Sequence, residues 1–197
     1  MDLDRFCAKG KRQEQSGNFT ITFVGQLIPE KGVNLLLEAV GRIASRLDKP
    51  LLVKVAGAGH QRTQLECLAA EVLPGKVEFL DQVEDVPGLL QSADLAVFPS
   101  RWQEAFGFVV AEAMACGIPV VASDAGGIPE VLGRDGKAGL IFRNGDLEDL
   151  ESKVYHLIMN PDIRDRMGQA ARERAESRFS LPRMVDEYAA LYEELAG

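Results

Sequence analysis

The chain has 197 residues, of which 46% are hydrophobic and 26% are charged, which is typical of one globular domain with appendages and excludes a disordered or fibrous protein. Its 22 basic and 30 acidic residues give a net charge of -8, which argues against sequence-independent binding of nucleic acid. The sequence contains no apolar run of membrane-spanning length, no secretory signal pattern and no cysteine spacing typical of zinc or disulfide frameworks. We therefore expect a cytoplasmic protein.

The first residues of the chain are polar and weakly patterned. We interpret residues 1–18 as the remnant of an interdomain linker, which ends in a Gln-Ser-Gly-Asn stretch. A nucleotide-binding domain is predicted over 19–160, and residues 161–197 are predicted to add C-terminal helices to the same domain.

Short apolar runs alternate with segments of helical period along most of the chain. The runs predict strands over 20–24, 51–56, 77–80, 95–98, 118–122 and 139–142. Helices are predicted between them over 33–47, 61–72, 86–92, 107–116 and 128–132, and after them over 146–159, 161–178 and 181–195. This pattern predicts an α/β fold, a Rossmann-like doubly wound parallel sheet of six strands with extra C-terminal helices.

Ligands of such sheets bind beyond the carboxyl ends of the strands, so the loops there are the candidate site. The first loop reads Gly-Gln-Leu-Ile-Pro-Glu-Lys-Gly over 25–32. Gly25 permits a close backbone approach, and Lys31 places an ammonium at a helix start, where the helix dipole does not favour a cation. An anionic ligand would relieve this conflict.

The third loop segment, 99–117, has a polar entry and then a short helix that contains an acidic residue. Glu104 precedes the helix start, and Glu112 lies among the apolar residues of the helix itself. A carboxylate in such surroundings needs a partner, which ribose hydroxyls would supply. The N–H groups of Phe106, Gly107 and Phe108 at the helix start would bind phosphate oxygens.

Two other loops carry glycines with different meanings. Gly126 and Gly127, after the fifth strand, predict a positive φ or a close backbone approach. The second loop contains a Gly-x-Gly pair ending in Gly59, as a dinucleotide-binding fingerprint does, but Arg62 stands where that fingerprint needs its third glycine. Asp81 stands where the fingerprint has its ribose-binding acid. An NAD-type dinucleotide-binding domain therefore stays open as an alternative.

Four segments together resemble one known family in order and spacing. They are Gly-Gln-Leu-Ile-Pro-Glu-Lys-Gly, Ala-Gly-Ala-Gly, Pro-Ser-Arg-Trp-Gln-Glu-Ala-Phe-Gly-Phe, and the E-x7-E spacing from Glu104 to Glu112. The chain resembles the C-terminal, donor-binding domain of retaining GT-B glycosyltransferases of the group 1, family 4 type. The resemblance spans nearly the whole chain and implies a hexosyltransferase that uses a UDP-, GDP- or ADP-linked sugar and requires no metal or other cofactor.

The resemblance also implies a role for each matched residue. Glu112 corresponds to the carboxylate that accepts the ribose hydroxyls, and Glu104 to the one that contacts the donor sugar. Lys31 corresponds to the lysine that stabilises the leaving diphosphate. The predicted donor site therefore comprises Gly25, Gln26, Lys31, Glu104, Ala105, Phe106, Gly107, Phe108 and Glu112, with Glu104 and Lys31 as the catalytic pair.

The sequence departs from the family pattern in two ways. Gln26 stands where the family usually has an arginine, so a neutral amide replaces a charged donor unless Arg62 or Arg101 compensates. The family also has an N-terminal acceptor-binding domain, so we expect a missing partner domain and little sugar transfer by this chain alone. Peripheral membrane association of the parent enzyme stays open, as does a non-catalytic nucleotide-binding or interaction module on the same fold.

Overall fold

The structure, a computed structural model, describes residues 1–8 and 17–196. All strand pairs are parallel, and the strand order is β3-β2-β1-β4-β5-β6. The strands are β1 (Phe19–Val24), β2 (Leu51–Ala56), β3 (Val77–Leu80), β4 (Leu95–Phe98), β5 (Val120–Ser123) and β6 (Leu140–Phe142). The predicted six-stranded doubly wound sheet is confirmed.

Helices connect the strands and continue after the last one. They are α1 (Val33–Ala44), α2 (Arg62–Val72), α3 (Val86–Gln91), α4 (Phe108–Ala115), α5 (Ile128–Leu132), α6 (Leu147–Met159), α7 (Pro161–Phe179) and α8 (Leu181–Ala196). Helix α1 packs against α2 and α6, whereas α4 packs against α3, α5 and α7. The connections change direction between the adjacent strands β1 and β4, which is where doubly wound folds open a crevice.

Two predicted boundaries differ from the structure by more than one residue, each for a local reason. Helix α1 ends at Ala44, before the predicted residue 47, because the Ser45 hydroxyl donates to the Arg42 carbonyl at 2.9 Å and turns the chain. Strand β5 begins at Val120 instead of residue 118. The Ile118 N–H still donates to the Ala113 carbonyl of α4, at 3.0 Å, and a proline without an N–H follows it.

The two chain ends pack differently against this core. Phe6 is buried, and Arg172 Nη1 donates to the Phe6 carbonyl at 2.6 Å. Residues 9–16 of the predicted linker, and residue 197, lie outside the described residues. Helix α8 buries none of its side chains, although it has an apolar stripe. No helix in the described parts of the chain is long and apolar enough to cross a membrane.

Candidate functional site

The loops after β1 and β4 are hydrogen-bonded to each other at the carboxyl edge of the sheet. The Glu30 carbonyl in the first loop accepts the backbone N–H of Arg101 at 2.7 Å and that of Trp102 at 3.3 Å. The loops follow neighbouring strands, so residues far apart in the chain come together here. This backbone link brings Lys31 beside Glu104.

Lys31 and Glu104 form an ion pair. Lys31 Nζ lies 2.5 Å from Glu104 Oε1, and the two side chains are 28% and 21% exposed. Lys31 is the last residue of a short 3₁₀ turn, Pro29–Lys31, directly before α1. The Glu104 carboxylate therefore balances the charge that the α1 dipole disfavours, and it does so within the chain.

Ser100 is a second donor to the Glu104 carboxylate. It is 4% exposed, and its Oγ donates to Glu104 Oε1 at 2.7 Å. Ser123, fully buried at the end of β5, donates to the Ser100 carbonyl at 2.6 Å. The sequence reasoning missed both serines. The available signal was a polar residue at the end of a buried strand for Ser123, and within two residues of one for Ser100.

The pKa of Glu104 reflects these contacts. Partial burial alone raises the pKa of its carboxyl, but the hydrogen bonds from Lys31 and Ser100 and the charge of Lys31 outweigh burial. The net result is a pKa below the ordinary value. Glu104 is therefore an anion at neutral pH, with Oε1 bound to two donors.

The loop after β5 closes on the backbone of Glu104. The Gly127 N–H donates to the Glu104 carbonyl at 2.7 Å. Gly126 has a φ of 58°, and a Cβ there would overlap the backbone N and O of Glu104. The close approach predicted for these glycines is confirmed, and it fixes the position from which the Glu104 side chain extends.

The N-terminus of α4 begins one turn further along the chain. Gly107 is its N-cap residue, with a φ of 92° that a side chain would strain, and it supplies no side-chain cap. No residue that the structure describes accepts a hydrogen bond from the N–H groups of Phe106, Gly107 or Phe108. Ala105 is exposed, and Phe108 is 70% exposed. These N–H groups are free to bind an anion.

Glu112 lies in the middle of α4, four residues after its start. It is half-buried, and its carboxylate makes no hydrogen bond with any other described residue. Burial raises the pKa of this carboxyl, and the charge of Arg5 opposes the rise. Glu112 thus has a partly desolvated carboxylate with no hydrogen-bond partner among the described residues, in the apolar surroundings that the sequence predicts.

The first loop contributes fewer fixed contacts than its motif implies. Gly25 donates its N–H to the Ala56 carbonyl at 3.0 Å, and Gln26 is exposed. The Gln26 amide and the Arg101 guanidinium make no hydrogen bond or ion pair with other side chains in the described ranges. Arg62 is engaged by Glu66 and Asp81, which leaves Arg101 as the remaining candidate to compensate for Gln26.

The residues of the dinucleotide alternative make contacts within the chain instead. Arg62 Nη1 lies 2.7 Å from Asp81 Oδ1, and a Cβ at Gly59 would overlap the backbone of Leu27. The Gly-x-Gly pair therefore accommodates the first loop. Within residues 1–8 and 17–196, no group of three or more His, Cys, Asp or Glu residues has the arrangement of a metal site.

The sequence pattern of the family described as "Glycosyl transferases group 1" matches residues 4–174, most of the chain and all of the loops above. The chain belongs to this family. The expected resemblance is confirmed.

Among curated relatives, this group 1 chain is 34% identical to D-inositol 3-phosphate glycosyltransferase of Corynebacterium jeikeium, over 98% of this chain and 50% of the relative. It is 34% identical to the GDP-mannose-dependent monoacylated alpha-(1-6)-phosphatidylinositol monomannoside mannosyltransferase of Corynebacterium glutamicum, over 79% of this chain and 42% of the relative.

Solved structures share the fold. HepE of Anabaena, in complex with UDP and glucose, superposes with a TM-score of 0.87 at 24% identity, over 98% of this chain and 55% of HepE. The C-terminal domain of a group 1 glycosyl transferase (LpcC) from Francisella tularensis superposes with a TM-score of 0.82 at 22% identity, over 92% of this chain and 99% of that domain. This group 1 chain spans about half the length of the curated relatives it matches.

Proposed function

We propose that this chain is the donor-binding domain of a retaining hexosyltransferase that moves a sugar from a nucleoside diphosphate to an acceptor hydroxyl. The observation that carries the proposal is the Lys31–Glu104 pair, a cation and an anion held together by two linked loops. The open N–H groups at the start of α4 lie next in the chain, and Glu112 has no hydrogen-bond partner among the described residues.

Each group has a place in this proposal. The diphosphate binds the N–H groups of residues 105–108 and the Lys31 ammonium, with Gly25 leaving room for its approach. Glu112 accepts hydrogen bonds from the ribose hydroxyls, which gives its half-buried carboxylate the partners it lacks. Glu104 accepts from hydroxyls of the donor sugar, and Gln26 contributes a neutral amide.

The reaction follows from these positions. The acceptor oxygen attacks the anomeric carbon from the face on which the diphosphate leaves, so the configuration is retained. The bond from that carbon to the phosphate oxygen breaks as the bond to the acceptor oxygen forms, and the acceptor proton passes to the leaving phosphate. Lys31 and the α4 N–H groups stabilise the charge on the leaving group, and the reaction requires no metal or other cofactor.

The whole enzyme is proposed to be about twice as long as this chain. HepE is described with UDP, and the Corynebacterium glutamicum relative is GDP-mannose-dependent, which supports a UDP- or GDP-linked donor, with ADP as the third candidate. An N-terminal domain, joined through the linker 1–18, would bind the acceptor, and the enzyme would work in the cytoplasm. Residues 19–160 would bind the donor, with helices 161–197 completing that domain.

A non-catalytic nucleotide-binding module is the second candidate, favoured by the neutral, exposed Gln26. The two candidates differ in what they require of Glu104. A module that only binds nucleotide does not need a carboxylate for the sugar. A donor site does, because removing it leaves the sugar hydroxyls without their acceptor.

Calorimetry tests the donor proposal. UDP, GDP and ADP are titrated into the chain, then UDP-glucose, GDP-mannose and ADP-glucose, with NAD as the dinucleotide probe. We expect one nucleoside diphosphate to bind and its sugar form to bind more tightly. At one hundred times its dissociation constant, the ligand would add about 2.7 kcal/mol to the free energy of unfolding.

Two variants complete this test. Glu104→Ala should lose the additional affinity that the sugar provides and keep nucleoside diphosphate binding, whereas the exposed Glu71→Ala should change neither. Binding of NAD alone would contradict the proposal. The chain by itself should transfer little sugar, and robust turnover would show that no partner domain is needed.

A further inference from the structure

The Ser100 hydroxyl connects the proposed sugar-binding carboxylate to the rest of the fold. Its oxygen lies 2.7 Å from Glu104 Oε1 and 3.2 Å from the Glu30 carbonyl. A serine hydroxyl has one proton, so it donates to one of these acceptors at a time. The shorter contact and the negative charge favour Glu104, because charge-assisted hydrogen bonds are the stronger ones.

The two oxygens of the Glu104 carboxylate therefore differ. Oε1 accepts from both Lys31 and Ser100, whereas Oε2 makes no hydrogen bond with another side chain in the described part of the chain. Two donors on one oxygen set the rotation of the carboxylate, and Oε2 is left as the acceptor for a ligand.

A hydrogen bond from Ser123 holds the backbone of Ser100 in position. Its carbonyl accepts the Ser123 hydroxyl at 2.6 Å, inside the core. The Glu30 carbonyl keeps its two backbone donors, Arg101 N–H and Trp102 N–H, whatever the Ser100 hydroxyl does. These two donors fill the two lone pairs of the Glu30 carbonyl oxygen, so the Ser100 hydroxyl donates to Glu104.

We infer that Ser100 is a positioning residue for the donor sugar: its hydroxyl donates to Glu104 Oε1 and orients the carboxylate so that Oε2 faces the ligand. This inference rests on the proposed donor function. It goes beyond that function because Ser100 does not itself touch the sugar.

Ser100→Ala isolates this role. The variant removes only the hydroxyl, since the bond from Ser123 goes to the backbone of residue 100 and the loop link through Glu30 persists. Ser45→Ala is the matched control, because its hydroxyl donates to a backbone carbonyl at the end of α1, away from the site. Calorimetry compares UDP with UDP-glucose, GDP with GDP-mannose and ADP with ADP-glucose for each variant.

We expect Ser100→Ala to bind the nucleoside diphosphate as the wild type does and to lose about tenfold of the affinity that the sugar adds. When the pH is lowered, the remaining sugar-dependent affinity should be lost at a higher pH than in the wild type. The Glu104 carboxylate has lost a hydrogen bond that favours its charged form, so it is protonated earlier in the titration. Ser100→Thr keeps a hydroxyl at this position and should therefore keep the wild-type sugar-dependent affinity and its pH dependence. A purely structural role would weaken both ligands and leave the pH profile unmoved.

These measurements distinguish the positioning role of Ser100 from the donor role of the chain. A wild type that binds UDP-glucose, GDP-mannose and ADP-glucose no better than UDP, GDP and ADP overturns the proposed donor role itself. A wild type that gains affinity from the sugar, together with a Ser100→Ala variant that gains equally, overturns only the inference about Ser100. Carboxyl NMR titration of Glu104 checks the contact without any ligand, and an equal pKa in the two proteins would also overturn it.

Discussion

The loop edge of the sheet buries polar side chains, whereas the C-terminal helix α8 leaves apolar side chains exposed. At the edge, Ser100 and Ser123 are buried and hydrogen-bonded, and Lys31 is paired with Glu104. On α8, large apolar side chains remain between 46% and 75% exposed: Leu181, Met184, Val185, Tyr188, Leu191, Tyr192 and Leu195. In these two regions, burial therefore depends on whether another element lies opposite a side chain, and residue type alone does not decide it.

At the loop edge, the largest effect should come from Gly126→Ala, in the loop that closes on Glu104. The new Cβ would overlap the Glu104 backbone and sit at a φ of 58°, so we expect the free energy of unfolding to fall by roughly 2–4 kcal/mol. Denaturant titration measures this. Gly136→Ala is the control: its φ is 71° with no atom within 4 Å, so it should lose only about 1 kcal/mol. Equal losses would show that the contact does not matter.

Lys31→Ala should affect ligand binding more than folding. It removes the ammonium proposed to bind the diphosphate, so the affinity for UDP or GDP in calorimetry should fall by roughly 10- to 100-fold. Lys137→Ala removes a 79% exposed lysine that pairs with Asp135, and it should leave affinity unchanged. An unchanged affinity in Lys31→Ala would remove this lysine from the site.

The two glutamates should respond in opposite directions to neutralisation. Glu104→Gln should lower the Tm at pH 7. The depressed pKa of Glu104 means that its ionised form stabilises the fold at pH values above the ordinary pKa of 4.5. Glu112→Gln should raise the Tm slightly at pH 7, because the raised pKa of Glu112 means that its ionised form costs stability.

Both differences should vanish in acid, and the sign follows from linkage. The Glu104 contribution is lost as the pH falls through its depressed pKa, and the Glu112 penalty is relieved as the pH falls through its raised pKa toward 4.5. Thermal unfolding of the three proteins at several pH values measures this. Equal shifts in the same direction would contradict the assigned environments.

The smallest effect should come from α8. Leu191→Ala should change the free energy of unfolding by less than about 0.5 kcal/mol, because the side chain is 47% exposed. The same change at Leu157, fully buried on α6, should cost roughly 2–5 kcal/mol. A large loss at Leu191 would mean that another surface covers α8 in solution.

Part of the candidate site could be predicted residue by residue. Continuous apolar runs such as Leu95–Phe98 predict buried parallel strands, and loops after such strands lie at one edge, which brings Lys31 and Glu104 to that edge. The partial desolvation of Glu112 also follows from its apolar neighbours. The ion pair and the Ser100 contact could not be predicted, because they depend on how two loops meet in space.

The sequence by itself determined the order of the elements, the family and the loops that carry charge, because apolar period and glycine position are local properties of the chain. Only the tertiary structure decided which groups satisfy each other. Lys31 is balanced by Glu104 within the chain, Arg62 pairs with Asp81, and the Ser100 hydroxyl has two acceptors. Hydrogen bonds and ion pairs act over a few ångströms, so their partners are fixed only once strands distant in sequence lie side by side.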